Sequence, residues 1–110
     1  MSLPHASSGD LVDVRPLNEK LTQSVSLAVL RTDRLEVMRL VLHAGKSMRE
    51  HQVPGELTIQ CIEGVVDLQA HGTVQTMHMG QLVYLEAGVP HALVAREDAS
   101  LLVTVLRNQH

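Results

Sequence analysis

Phenylalanine and tryptophan are absent from this chain of 110 residues, and Tyr84 is its one tyrosine. A core must therefore be assembled from Val, Leu, Ile and Met. The same lack removes the flat faces on which proteins stack bases, sugar rings and quaternary ammonium groups. A nucleotide-sugar ligand is disfavoured on that ground, and a small, weakly polar one is favoured. Cysteine is almost as scarce: Cys61 stands alone, which excludes an intramolecular disulfide. Charge of one sign is nowhere concentrated, since nine Lys and Arg face twelve Asp and Glu for a formal net charge of −3. Nucleic acid and an anionic membrane both call for a clustered basic surface, so neither is expected as a partner. Long apolar runs are also missing, and the first residues have neither the basic region nor the apolar stretch of a signal peptide. These absences lead us to expect a soluble, cytoplasmic protein, with Met1 to Leu3 a candidate expression leader.

What is present is enough for one domain. A hydrophobic content of 45% over this length can build a single core. Met1 to Gly9 is small, polar and proline-containing, as loose terminal arms are. Leu11, Val12 and Val14 precede Pro16, and proline cannot donate to a sheet ladder, so this piece reads as a short edge or exchanged strand. We take residues 1–22 as an arm with a candidate exchanged edge strand, and 23–110 as the main body. From Ser24 to Leu30 apolar Val25, Leu27 and Val29 alternate with smaller residues, and Leu35 to Leu42 alternates again after a Thr32-Asp33 turn. Leu57 to Ile62, Val65 to Gln69, Thr73 to Met77, Leu82 to Leu85, His91 to Ala95 and Leu101 to Leu106 follow, divided by turns rich in Gly and Pro. Roughly eight to ten short strands without helical periodicity indicate a sandwich or barrel. Leu101 to Leu106 is apolar on both faces, which predicts that one face meets the interior and the other a neighbouring layer or subunit, hence a homodimer.

The glycines and histidines stand at spacings that resemble the two motifs of the cupin superfamily, over Gly45 to Ala95. In the first motif Gly45, His51 and Gly64 match, while Val53 occupies the place of a second histidine and Leu57 that of a glutamate. In the second, Gly80, Gly88 and His91 match, while Glu86 replaces a proline and Ala95 an asparagine. The short connection between Gly64 and Gly80 is similar to that of compact bacterial cupins. The resemblance implies an all-β fold, a double-stranded β-helix or jelly-roll barrel. It also implies a barrel mouth where three histidines and a glutamate ordinarily hold iron, manganese, zinc, nickel or copper.

Two of those four ligand positions are lost here, leaving His51 and His91. Catalytic transition-metal sites usually offer three protein ligands and keep a position open. Glu56 adjoins the lost carboxylate position, but strand parity turns it outward unless the Pro54-Gly55 corner adds a bulge. With Val53, Leu57 and Ile59 on the inward parity, and Met48 and Leu93 also expected to line the mouth, the expected pocket is apolar with two imidazoles at its rim. It would suit a small molecule with an apolar body and one polar or acidic group. Without metal, the two imidazoles can shuttle protons or bind anions, or form a vestigial hydrogen-bonded pair. His5, His43, His71, His78 and His110 fall in termini, strand ends or turns and read as surface, with His43 able to reach the mouth if its strand bends at Gly45. Cys61 reads as core, and Tyr84 as a residue of the pocket or of a subunit boundary.

Three functions compete on these grounds. The first is a small-molecule-binding cupin with a degenerate metal site and no resident cofactor. The second is a metal-dependent enzyme, dioxygenase- or isomerase-like, using His51, His91 and a non-standard third ligand. The third is a detached regulatory module, which without a basic patch could not bind DNA by itself. The first is the reading we carry forward.

Overall fold

A computed structural model describes residues 5–107. Among them are nine strands and a single short 3₁₀ helix, Asn18–Gln23. The strands are β1 (Leu27–Arg31), β2 (Leu35–Leu42), β3 (Ser47–His51), β4 (Leu57–Glu63), β5 (Val66–Ala70), β6 (Thr73–Met77), β7 (Leu82–Leu85), β8 (His91–Ala95) and β9 (Ala99–Leu106). They form a five-stranded sheet in the order β1-β2-β9-β4-β7 and a four-stranded sheet in the order β3-β8-β5-β6. All pairings are antiparallel. Neighbours in the sheets are mostly distant in sequence, as a jelly-roll barrel requires.

Period-two alternation builds the core. On β4, Leu57, Ile59 and Cys61 are buried and register with Val105, Val103 and Leu101 of β9. From the facing sheet come Val66, Leu68, Ala70, Met77, Leu93 and Ala95. With no aromatic ring available, many medium-sized aliphatic side chains fill the space that a few rings would otherwise take, which is compatible with native packing density. The opposite side of the five-stranded sheet is also partly apolar, and Leu82, Tyr84 and Leu106 are exposed there.

Two glycines are sterically compulsory. A Cβ on Gly55 would collide with the Leu106 carbonyl, and one on Gly64, whose φ is +85°, would collide with the Asp98 carbonyl. Both therefore fix how the ends of β4 pass beside neighbouring chain.

The structure corrects the strand reading in three places. Residues 11–14 form no edge strand within the chain: the apolar pattern is present, but no strand of the same chain pairs with them, and Leu11 is fully exposed. The alternation from Ser24 to Leu30 does not mark a buried face, because the strand begins at Leu27 and an irregularity between Ala28 and Leu30 shifts its parity. Val25 and Leu27 are consequently 78% and 41% exposed. Finally, Ser47–His51, a polar run without apolar alternation, is a strand paired with β8.

Candidate functional site

β3 and β8 run antiparallel, and Met48 faces Leu93 across the pair. Three residues on β3, against two on β8, bring the register to His51 opposite His91. In a regular strand His51, three positions from Met48, would face the opposite side. The bulge re-aims it, a use of bulges known beside functional sites. The two imidazole rings then lie with centroids 4.4 Å apart and planes tilted by 54°.

The two histidines are held differently. His91 is buried, and its Nδ1 lies 2.9 Å from the Val89 carbonyl oxygen. A carbonyl only accepts, so Nδ1 carries the hydrogen and, in neutral His91, Nε2 presents the lone pair. His51 is exposed, and its Nδ1 reaches the Arg49 carbonyl oxygen at 3.3 Å, a longer contact. One imidazole is thus buried in a wall and the other is exposed and held by a longer contact.

The remaining candidate ligand is turned elsewhere. Glu56, just before β4, accepts a hydrogen bond from the Tyr84 hydroxyl of β7, and this bond, partial desolvation and the neighbouring carboxylate charges push the phenol above its ordinary value. Among the described residues no group of three His, Cys, Asp or Glu side chains is placed to hold a metal ion. With two imidazoles as the donor set, one of them exposed, these residues do not fit the three-ligand requirement of a catalytic transition metal.

The structure places Leu57, Ile59 and Leu93 inside the packed core, with Met48 and Val53 against its edge. Open space lies beside them, where the edge strands β6 and β7 leave a slot of about 190 Å³ lined by Leu68, Ala70, Thr73, Gln75, Val83 and Leu85, with His71 and Tyr84 at its margin. Ala70 of the lining is the cross-strand partner of His91, while neither His51 nor His91 itself lines the slot. His71, at φ +53° in the β5–β6 turn, is exposed, as its position in the sequence reads, and borders the slot. His5 and His78 are exposed. His43 follows β2 at the end where Leu42 pairs with Ala99, away from the mouth, so the bend that would carry it to His51 does not occur. His110 lies outside the described residues. Cys61 is fully buried, and burial pushes its thiol above the ordinary value, as expected of an inert core cysteine.

A second polar cluster lies toward the opposite end. An irregularity between Cys61 and Glu63 sets Glu63 opposite Ser100, on the same side of the sheet as Arg39. The Glu63 carboxylate accepts from Ser100 Oγ at 2.5 Å, Leu17 N–H at 2.8 Å and Asn18 N–H at 2.9 Å. Arg39 Nη1 stands 4.0 Å from it. Leu17 is right-handed helical and Asn18 left-handed, at φ +54°. Successive residues of that kind converge their N–H groups into an anion-binding concavity, here filled by the protein's own carboxylate. Burial raises the Glu63 value, but the hydrogen bonds from Ser100, Leu17 and Asn18 and the Arg39 charge together outweigh it and hold the carboxyl below its ordinary 4.5.

Two packed antiparallel sheets closing on an aliphatic core, with histidines facing each other at one end, define a small jelly-roll barrel. The cupin-domain family model matches residues 38–106, and the chain belongs to that family. Solved structures agree on the fold. A conserved protein of unknown function from Streptococcus pyogenes is 21% identical with a TM-score of 0.76, covering 100% of this chain and 97% of that one. A cupin superfamily protein from Desulfitobacterium hafniense is 17% identical with a TM-score of 0.78, covering 94% and 100%. A substituted salicylate 1,2-dioxygenase from Pseudoaminobacter salicylatoxidans is 18% identical with a TM-score of 0.67, covering 73% of this chain and 26% of that one. No curated protein sequence matches the chain.

Proposed function

We propose that this cupin binds a small organic molecule in the slot between β6 and β7, with its polar group directed to the imidazole pair, and does so without a resident metal. The observation that supports the reading is the register of His91 with Ala70, one of the residues that line the apolar slot. The slot's 190 Å³ lies below the usual range for drug-sized ligands and admits on the order of ten non-hydrogen atoms or fewer. Leu68, Ala70, Val83 and Leu85 favour an apolar body, while Thr73 and Gln75 offer hydrogen bonds at one lip. Neutral His91 accepts from a hydroxyl or protonated acid through Nε2, and an imidazolium at either histidine pairs with a carboxylate. Because cupin barrels host unrelated chemistries, the ligand is argued from this site alone.

Two measurements test the reading. Elemental analysis of tag-free protein and of the His51→Ala and His91→Ala variants should show no stoichiometric metal in any of them. Near-stoichiometric metal that falls in both variants would replace this reading with the metal-dependent enzyme, dioxygenase- or isomerase-like. A thermal-shift panel of hydroxy acids and short carboxylic acids should contain at least one compound that raises the melting temperature of the wild type but not of Ala70→Leu or His91→Ala. A shift that persists in both variants would place the ligand elsewhere.

We propose further that the protein is a homodimer joined through the outer side of the five-stranded sheet. Leu82, Tyr84 and Leu106 are exposed on one apolar surface there, and burial against a second copy would remove that surface from water. Sedimentation of the Leu82→Glu variant as a monomer, with the wild type as a dimer, is the expected result.

A further inference from the structure

Before β1, the described residues lie on the barrel as a discontinuous band. Its attachments are few. Ala6 N–H donates to the Val29 carbonyl on the open edge of β1 at 3.0 Å. Arg39 Nη2 reaches the Asp13 carbonyl at 3.4 Å. Leu17 and Asn18 N–H groups clasp Glu63, and Leu21 is buried. Between these points, crevices of about 440 Å³ and 420 Å³ separate the band from the sheet, and Arg39 borders both. A segment integral to the core would leave no such gaps, since interiors are close-packed.

From this geometry we infer that residues 5–24 form a detachable strap, latched to the barrel by the Glu63 carboxylate seated in the Leu17–Asn18 concavity, and that the strap opens as a unit while the barrel stays folded. Glu63 is the natural fastening point because its other partners, Ser100 and Arg39, belong to the barrel. Undocking leaves the carboxylate paired on the barrel side while the concavity loses its anion. Closure also shields part of β1, an edge strand whose unpaired backbone would otherwise be open to a second chain. Local opening of this kind draws on low-stability segments with few apolar anchors, and here Leu21 is the one buried apolar side chain of the strap.

Trypsin cleavage after Lys20, followed by mass spectrometry on the full chain, reads the opening directly. Asn18→Val strains the left-handed conformation without touching the barrel wall, whereas Asn18→Gly accommodates it. Asn18→Val should be cut at Lys20 roughly tenfold faster than wild type or more, with Asn18→Gly close to wild type. Circular dichroism should show all three barrels melting alike. Glu63→Ala should be cut fast as well, and added formate, an anion able to fill the concavity, should slow it. Equal cleavage of Asn18→Val, Asn18→Gly and wild type would overturn the inference. So would a rise in cleavage within the barrel, after Arg31 or Arg34, in step with Lys20, because the strap would then be part of one cooperative fold. If Glu63→Ala does not fold, the Asn18 pair decides the matter alone.

Discussion

Two polar clusters of the barrel, the one around Glu63 and the histidine pair, are built on opposite plans. At the closed end Glu63 is almost fully engaged: a hydroxyl, two backbone N–H groups and a guanidinium converge on one carboxylate. At the mouth His91 spends one nitrogen on a carbonyl and keeps the other, while His51 has only a long contact. A satisfied cluster fixes structure, because a buried charge costs free energy unless its partners are complete. An under-committed pair retains bonding capacity for something else. The contrast separates a structural cluster from a candidate binding site by their hydrogen bonds.

The largest test of that contrast is Glu63→Ala, which strands a buried guanidinium and three donors. Urea denaturation should show a loss of about 3 kcal/mol, and the double variant Glu63→Leu with Arg39→Met should recover much of it. By comparison His91→Ala should cost about 1 kcal/mol, one hydrogen bond's worth, and still abolish the ligand-induced thermal shift. Acidification gives a graded version. The folded Glu63 carboxyl lies below its ordinary 4.5, so its contribution is present above the unfolded value and disappears as pH falls through the folded one. The stability difference between wild type and Glu63→Gln should accordingly be larger at about pH 7 than at about pH 3. Smallest of all, His51→Ala and Tyr84→Phe should leave the urea midpoint unchanged within error, since both groups are exposed. A large loss in either would break the contrast.

Much of this was legible in the sequence and some was not, for a common reason. The Gly and Pro punctuation, the alternation on β2 and β4 and the apolar run of β9 are local patterns, and they suffice for the barrel. His51 and His91 were reachable through motif spacing. The cluster around Glu63 was not, because Arg39, Glu63 and Ser100 meet only where an irregularity in β4 changes parity, and the partners Leu17 and Asn18 contribute backbone rather than side chain. Backbone donors leave no compositional trace. The asparagine at position 18 was the one available hint, since Asn tolerates the left-handed region that it adopts. As an edge strand, residues 11–14 differed in the opposite sense: their side chains suit a strand, but strands exist through ladders, and sequence alone could not reveal that no strand of the same chain reaches them. The slot between β6 and β7 escaped for lack of any local sign that two edge strands would stand apart.

A chain without tryptophan, whose lone tyrosine is 53% exposed on the outer sheet, is optically silent in its interior. Its ultraviolet emission therefore reports on the surface alone. Tyr84 is a built-in fluorophore for whatever settles on that face, and a change in its anisotropy on dilution would follow assembly without a label.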